Sequence, residues 1–514
     1  MGGAGTAAGN DSAMPYLNPA GLAGVPGDVF AVSATVYSVT LRSFDDFFYP
    51  NGAHPFLGYR REGESFASTS VGELPSSVMY FSQPSDPDDT IQHRIGFSLI
   101  VPTARRFAVV GSVSGSLTNV AGRALETESI NAHHTRYYVG PSYALGVGSD
   151  VRLGVSLYGV YYRSTVSTSS TSSISVLGGS LTSTFSQQSA QIAEALSVVP
   201  IVGMQVRLAS DVWLGAGVAA PSIPISGRIR FNSDSSGVVP DPTTRVPRSF
   251  GNTSTADVDY SSHTPLRLNA GIAFDPRKGL SLAGDVHVYL ARTDTEVDGV
   301  QVFEAQRSGD LTRQYARPVS FSTRAEQVID VSIGGEYAFT DVVALRVGGF
   351  TDGAARPALT ERLDDVRQLR LNRFGGTLGV GLKAGSFDST IGVVLARGVG
   401  HYGAADTWVT GNVIPIRATE TTGMLVLSGA ITVAEAKKTI RDTLPVTAPL
   451  PELDGAPPEA PAPTGPAPTR PKPSPPTPPA PPVVDPPVVD PPPDTPPPEP
   501  PDTSPDAPLA PEEP

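Results

Sequence analysis

Between Val151 and Tyr161 the chain alternates with a period of two. Val151, Leu153, Val155, Leu157 and Tyr161 fall on one side of an extended strand, and Arg152, Gly154, Ser156 and Tyr158 on the other. Leu280 to Leu290 repeats the pattern, with Leu282, Val286 and Val288 opposite Ser281, Ala283, Asp285, His287 and Tyr289. Val328 to Phe339 sets Ile329, Val331, Ile333, Tyr337 and Phe339 against Asp330, Ser332 and Glu336. Strands in soluble sheets usually run about 5–6 residues. Alternation sustained over longer stretches commits the chain to β-structure of unusual length.

The connections sharpen this. Gly148-Ser149-Asp150, Ala209-Ser210-Asp211, Asp275 to Gly279, Thr340-Asp341 and Gly385 to Asp388 are tight polar turns. Between them come long connections, near 44–73, 115–132, 165–194, 232–256, 298–319, 353–369 and 400–412. Strands are expected near 28–43, 74–83, 91–102, 105–115, 135–148, 151–164, 196–208, 211–231, 258–274, 279–297, 320–339, 342–352, 370–385, 388–399 and 413–432. One early segment continues its neighbour, which gives 14 strands, with the ambiguity between residues 74 and 115. Short helices are expected over Thr184–Leu196 and Val433–Thr443. Short turns alternating with long loops describe an antiparallel transmembrane β-barrel, which must close because an open edge in lipid leaves backbone groups unpaired. A soluble propeller or a tandem of sandwiches is the alternative, but no repeat of about 40–50 residues with blade signatures is visible.

Composition adds exclusions. No apolar run of about 18 residues predicts a transmembrane helix. There is no Cys, hence no thiolate metal site, catalytic Cys or disulfide, and the formal charge of −13 offers no basic footprint for nucleic acid. The prolines divide the chain: 31 of the 52 lie in residues 445–514. That segment also carries 11 acids against Arg470 and Lys472, a net −9. It is expected to be a disordered tail, extended as polyproline II over roughly 200 Å. At the other end, Met1 is followed by Gly2-Gly3-Ala4-Gly5 without a basic or apolar leader, so either the protein stays inside the cell or the sequence starts at or near its mature end.

The string Gly3 to Leu22, a small-residue run followed by Asp11-Ser12-Ala13 and then Asn18-Pro19-Ala20-Gly21-Leu22, resembles the mature start of the long-chain fatty acid transport family (FadL/TodX type). Ser142 to Gly154 resembles that family's central hairpin, Ser210 to Pro221 its Trp-x-Gly…Pro strand, and Glu336 to Gly349 a late hairpin. The resemblance covers about residues 3–433. It implies a 14-stranded barrel in the bacterial outer membrane, with residues 1–27 as a hatch in the lumen and 28–433 as the wall. It also implies passive transport of hydrophobic molecules, such as long-chain fatty acids or hydrocarbons, released sideways into outer-membrane lipid. Residues 434–444 are then a linker or short helix and 445–514 a periplasmic tail, with both termini periplasmic. The competing function is a structural or adhesive barrel tethered to the cell wall or to a periplasmic protein by that tail. A monomer without cofactor or energy-coupling motif is expected.

Hatch residues singled out by the resemblance are Asp11, Asn18, Pro19, Ala20 and Gly21, with Asn18 organising an anchoring turn. Pro102 ends the apolar run Ile95 to Val101 and cannot donate to a ladder. It is expected either to border a lateral gap or simply to end a strand. Asp285, His287, Asp330 and Glu336 are expected to be polar lumen residues, with Arg267 and Arg346 as partners. No catalytic or metal site is assigned. His133-His134, adjacent on one strand, would point to opposite faces and are expected in a loop or at the rim. Asp45-Asp46 and Asp86 to Asp89 read as solvated acid clusters in connections.

Overall fold

The computed structural model describes residues 3–433 apart from 8, 10–12, 26, 46, 48–67, 72–76, 84–88, 118–120, 177–181, 241–245, 308–309, 360–368, 386 and 406–412. The tail beyond Val433, Asp11, Asp46 and Asp86 to Asp88 therefore lie outside the described residues.

Among the described residues, a four-residue helix α1 (Met14–Leu17) and a 3-10 turn (Pro19–Gly24) precede nineteen strands. The first seven are β1 (Val29–Phe44), β2 (Ser68–Val71), β3 (Ser77–Ser82), β4 (Ile91–Ser116), β5 (Gly122–Val147), β6 (Val151–Val176) and β7 (Thr182–Ala209). Then come β8 (Val212–Ala219), β9 (Ile223–Pro240), β10 (Pro247–Tyr260), β11 (Arg267–Arg277), β12 (Leu280–Tyr289) and β13 (Arg292–Arg307). The last six are β14 (Asp310–Ala325), β15 (Val328–Ala338), β16 (Val343–Asp352), β17 (Leu369–Ala384), β18 (Phe387–Ala405) and β19 (Val413–Thr432).

Every pairing is antiparallel, and one circuit closes. It runs β1, β3, β4, β5, β6, β7, β8, β11, β12, β15, β16, β17, β18, β19 and back to β1, through Val29↔Thr432 to Phe44↔Ala418. The fold is thus an all-β, closed, 14-stranded antiparallel barrel. The five remaining strands are upper pieces of wall strands. β2 pairs with β1 above β3, and four consecutive strands are broken into β8/β9, β10/β11, β12/β13 and β14/β15. Above those breaks β7, β9, β10, β13 and β14 pair in that order, continuing the wall sheet through β7, which stays paired with β6.

The alternation settles which side faces what. On β15, Ile329, Val331 and Ile333 are 58%, 43% and 62% exposed, whereas Asp330 and Ser332 on the other face are buried. On β12, Leu282 and Val286 are exposed and Ala283, Asp285 and His287 are buried. Polar inside and apolar outside inverts a soluble sheet and fits a wall facing lipid, where each apolar side chain recovers about 1.5–3 kcal/mol on burial. Tight turns close the lower end. Gly148 and Gly279, at φ 58° and 84°, adopt the left-handed turn conformation that a residue with a Cβ disfavours.

Several connections expected to be loops are strands. β4, β5 and β6 run 26 residues each and β7 runs 28, whereas about 9–11 suffice to cross a bilayer. The segments 122–132, 165–176, 182–194, 232–240, 247–256, 298–307 and 310–319 all belong to these hairpins. The stretches 165–176 and 182–194 are rich in Ser and Thr and lack a period-two apolar signal because neither face meets lipid there. Cross-strand hydroxyl pairs such as Thr168–Ser189, 2.6 Å, knit them instead. The helix expected over Thr184–Leu196 is part of β7. Its Gln, Ala and Leu residues favour a helix weakly, and pairing with β6 on one side and β9 on the other overrides that. Of the helix expected from Val433, residues 434–443 are outside the described residues.

Candidate functional site

The N-terminal residues lie against the inward faces of β6, β7, β8, β11 and β12. Asp285 Oδ2 accepts the backbone N–H groups of Gly5 and Thr6 at 2.7 and 2.8 Å. Asn18 is fully buried: its Nδ2 donates to the carbonyls of Thr6 (2.7 Å) and Met204 (3.0 Å), and its Oδ1 accepts the N–H of Ala20 (3.2 Å). The last bond caps the Pro19–Gly24 turn. Gln205 Nε2 donates to Thr6 O at 3.1 Å, Ser156 Oγ to Pro15 O at 2.8 Å, Asn269 Nδ2 to Leu17 O at 2.9 Å and Arg267 Nη2 to Tyr16 O at 2.5 Å. The Arg267 guanidinium also lies 4.2 Å over the Tyr16 ring. These contacts satisfy the carbonyls of a short segment with few bonds of its own.

Glycines on the inner wall make this approach feasible. A Cβ at Gly154 would stand 2.3 Å from Pro19 C, one at Gly203 1.9 Å from Asn18 Oδ1 and one at Gly215 2.1 Å from Thr6 O. Met14, Leu22, Ala23 and Val25 pack with Met79 and Phe81 of β3, Ile100 of β4, and Tyr138, Tyr158 and Ile201 from the next strands. Pro19, Ala20 and Gly21 are all buried, and a Cβ at Gly21 would stand 2.4 Å from Gly9 O.

Directly above this packing the wall changes. On the β5 side, Ile100 is opposite Tyr138 and Thr103 opposite Arg136, so Val101 and Pro102 face only Tyr137. This is a bulge, and it flips the pleat. Arg94, Ser98 and Ile100 point inward below it, and Phe107, Val109 and Val113 above it. On the other side, the β3 ladder ends at Ser77↔Ile100, and among the described residues nothing pairs with β4 above that point. Pro102 is itself exposed.

Above the bulge lies an apolar nest. Phe44 of β1, Phe47, Phe107 of β4 and Tyr402 of β18 pack with ring centroids 5.1–6.1 Å apart, backed by Val109, Ile130, Leu371 and Ile416. A charged string borders it. Arg42 Nε and Arg373 Nε each donate to Glu420 at 2.7 Å, and Arg373 Nη1 reaches Asp352 at 3.2 Å. The Arg42 guanidinium stacks 5.4 Å over Phe107. Glu420→Leu is expected to leave buried Arg42 without its carboxylate and Arg373 with Asp352 alone, and to cost about 3–5 kcal/mol. The urea midpoint of the detergent-folded barrel reads this; an unchanged midpoint would show the string to be dispensable.

The polar residues singled out in the sequence serve separate tasks. Asp285 binds the N-terminal backbone. His287 Nδ1 meets Asn269 Oδ1 at 3.0 Å, behind the Leu17 contact. Asp330 Oδ1 accepts the Gly353 N–H at 2.7 Å, at the end of β16. Glu336 pairs with Arg346 at 2.6 Å, as expected of that partner, whereas Arg267 turns to Tyr16. His133 and His134 do point to opposite sides, but from within β5 rather than from a loop: His134 Nδ1 meets Ser164 Oγ at 2.8 Å and His133 Nε2 meets Thr135 Oγ1 at 3.1 Å. Sequence reading missed Gln205, Asn269, the aromatic nest and the Arg42–Glu420–Arg373 string. Only the wall glycines left a trace, as Gly215-Ala216-Gly217 on one face.

Among solved structures, a FadL homologue of Pseudomonas aeruginosa matches at 14% identity and a TM-score of 0.50, over 84% of this chain and 96% of that one. The chain has the FadL-type fold. The toluene transporter TodX of Pseudomonas putida matches at 15% identity and 0.49, over 82% and 94% of the two chains. The toluene transporter TbuX of Ralstonia pickettii matches at 14% and 0.47, over 84% and 96%. No family model and no curated protein matches. In the FadL-type barrel seen here, the broken seam at Val101–Pro102 lies between the aromatic nest and the packed N-terminal segment.

Proposed function

We propose that this chain is a passive outer-membrane channel for hydrophobic small molecules. The bulge at Val101–Pro102 and the end of the β3 ladder carry the reading. They interrupt the wall between an apolar nest above and a close-packed floor below. A hydrophobic molecule collected by Phe44, Phe47, Phe107 and Tyr402 meets the floor formed by the N-terminal segment and leaves sideways past β4, above the end of the β3 ladder, into lipid. Lateral exit spares an apolar solute the aqueous compartment below. The short-turn end and both termini then face the periplasm, with residues 3–25 as the hatch and Asn18 its anchor. Structural neighbours described as toluene transporters favour monoaromatic hydrocarbons as substrates, with long-chain fatty acids as the second class. The residues serve transport rather than catalysis, and the tail from Pro445 acts as a periplasmic tether.

Uptake of radiolabelled toluene and palmitate, measured in a strain deleted for the gene and complemented with the chain, tests this. Complementation is expected to restore uptake of at least one. Restoration of neither, with the folded barrel present in the outer membrane, would refute the transport reading.

A further inference from the structure

The outward faces of β18 and β19 carry cations with no carboxylate partner among the described residues. Phe387, Ile391, Val393 and Leu395 form the lipid-facing band on β18, and Leu395 is 63% exposed. Arg397 follows on the same face, ten residues above Phe387. At about 3.3 Å per residue and the usual tilt of about 40° this is roughly 25 Å, the height of a barrel's apolar band. Two pleat repeats higher, His401 is directly opposite Arg417 of β19. All three side chains point outward, because Gly398, Tyr402, Ile416 and Ala418 between them point in. Arg397, His401 and Arg417 are exposed. Two other outward arginines, Arg163 and Arg228, differ. Arg163 lies 3.8 Å from Glu194, and Arg228 is ion-paired with Asp257. Among the described residues no carboxylate pairs with Arg397 or Arg417. Asp45, at the end of β1, touches Arg417 only through its backbone N–H on the Arg417 carbonyl, at 3.0 Å.

Unpaired cations continuous with a lipid-facing band occupy the depth at which phosphates of lipid headgroups lie. We propose that Arg397, His401 and Arg417 form a docking site for the phosphates of an outer-leaflet lipid, with Arg397 taking a phosphate at the band edge and the His401–Arg417 pair one about 13 Å higher along the strand. Four residues separate the two tiers, which suits a headgroup bearing more than one phosphate. The proposal rests on the outer-membrane placement above and is independent of what the lumen transports.

The detergent-folded full chain, incubated with purified bis-phosphorylated lipid A and examined by native mass spectrometry, is the test. The parent is expected to retain the lipid. The double variant R397Q/R417Q is expected to retain it roughly thirtyfold more weakly, at about fivefold per cation. Heat-modifiable migration on gels checks that the variant is folded. R163Q/R228Q, which removes paired arginines, is expected to behave as the parent, and chemically dephosphorylated lipid A is expected to be lost from all proteins. Equal retention by R397Q/R417Q, or of the dephosphorylated lipid, would overturn the proposal. Retention of inorganic phosphate alone would do the same, by reassigning the patch to a soluble anion. Uptake by R397Q/R417Q should match the parent, so failure here and failure of the transport reading are separately visible.

Discussion

Gly203→Val should expel the N-terminal segment from its seat while leaving the barrel closed. A Cβ at this position would fall 1.9 Å from Asn18 Oδ1 and 2.9 Å from its Cγ. Neither partner can yield. Gly203 is fixed in the β7 ladder between Gly154 and Gly217, and the Asn18 side chain is held by Thr6, Met204 and Ala20. Losing those bonds exposes buried carbonyls at about 1–3 kcal/mol each, on top of about 1–3 kcal/mol of overpacking. Local opening should therefore rise by about a hundredfold or more. The chain contains no Cys, so a single Thr6→Cys substitution gives a clean reporter at a site that is fully buried. Maleimide labelling of that cysteine is expected to be slow in the parent and fast with Gly203→Val. Gly159→Val serves as a control, since its Cβ would meet only Val139 O at 3.6 Å. If labelling is as slow with Gly203→Val as in the parent, the close approach does not hold the segment in place.

Deleting Pro102 should abolish uptake without unfolding the barrel. The bulge sets two residues of β4 against one of β5, and removing one restores a continuous ladder from Ile100↔Tyr138 to Thr103↔Arg136. With one residue fewer, positions above and below the deletion fall on a single pleat, so Phe107 and Val109 still point inward. The loss of a residue that cannot donate a hydrogen bond also lets the outer edge of β4 pair with its neighbour. The expected phenotype is a heat-stable, correctly inserted barrel with toluene or palmitate uptake reduced to that of the deleted strain. Uptake at the parental rate would place the exit elsewhere in the wall.

How much of this was legible in the sequence follows from what lies on each face of a strand. β6, β12 and β15 were readable because lipid demands apolar residues on one face, and their inner and outer sets fall as Arg152/Leu153, Asp285/Val286 and Asp330/Val331 predict. The upper halves of β5 to β7 were not, because water on the outside imposes no alternation, and hairpins of Ser and Thr look like loops. The 14-strand count survived because the four interruptions at 220–222, 261–266, 290–291 and 326–327 fall inside segments read as single strands or as loops above them. At the candidate site, the Asn18-Pro19-Ala20 string and Pro102 stood out locally. Gln205, Asn269 and Glu420 did not, since each is an ordinary polar residue on an inward face. Its importance comes from a partner far away in the chain, such as Thr6, Leu17 or Arg42.

The four broken strands make the barrel separable from what stands on it. Below the interruptions β8, β11, β12 and β15 close the wall with their own ladders, and above them β9–β10 and β13–β14 leave and return as two hairpins. Residues 223–260 and 292–325 are therefore cassettes whose ends re-enter the wall side by side. Each could be shortened, exchanged or replaced by a foreign hairpin without disturbing a lower pairing. The surface presented to the outside can thus diverge quickly while the membrane-spanning cylinder stays the same.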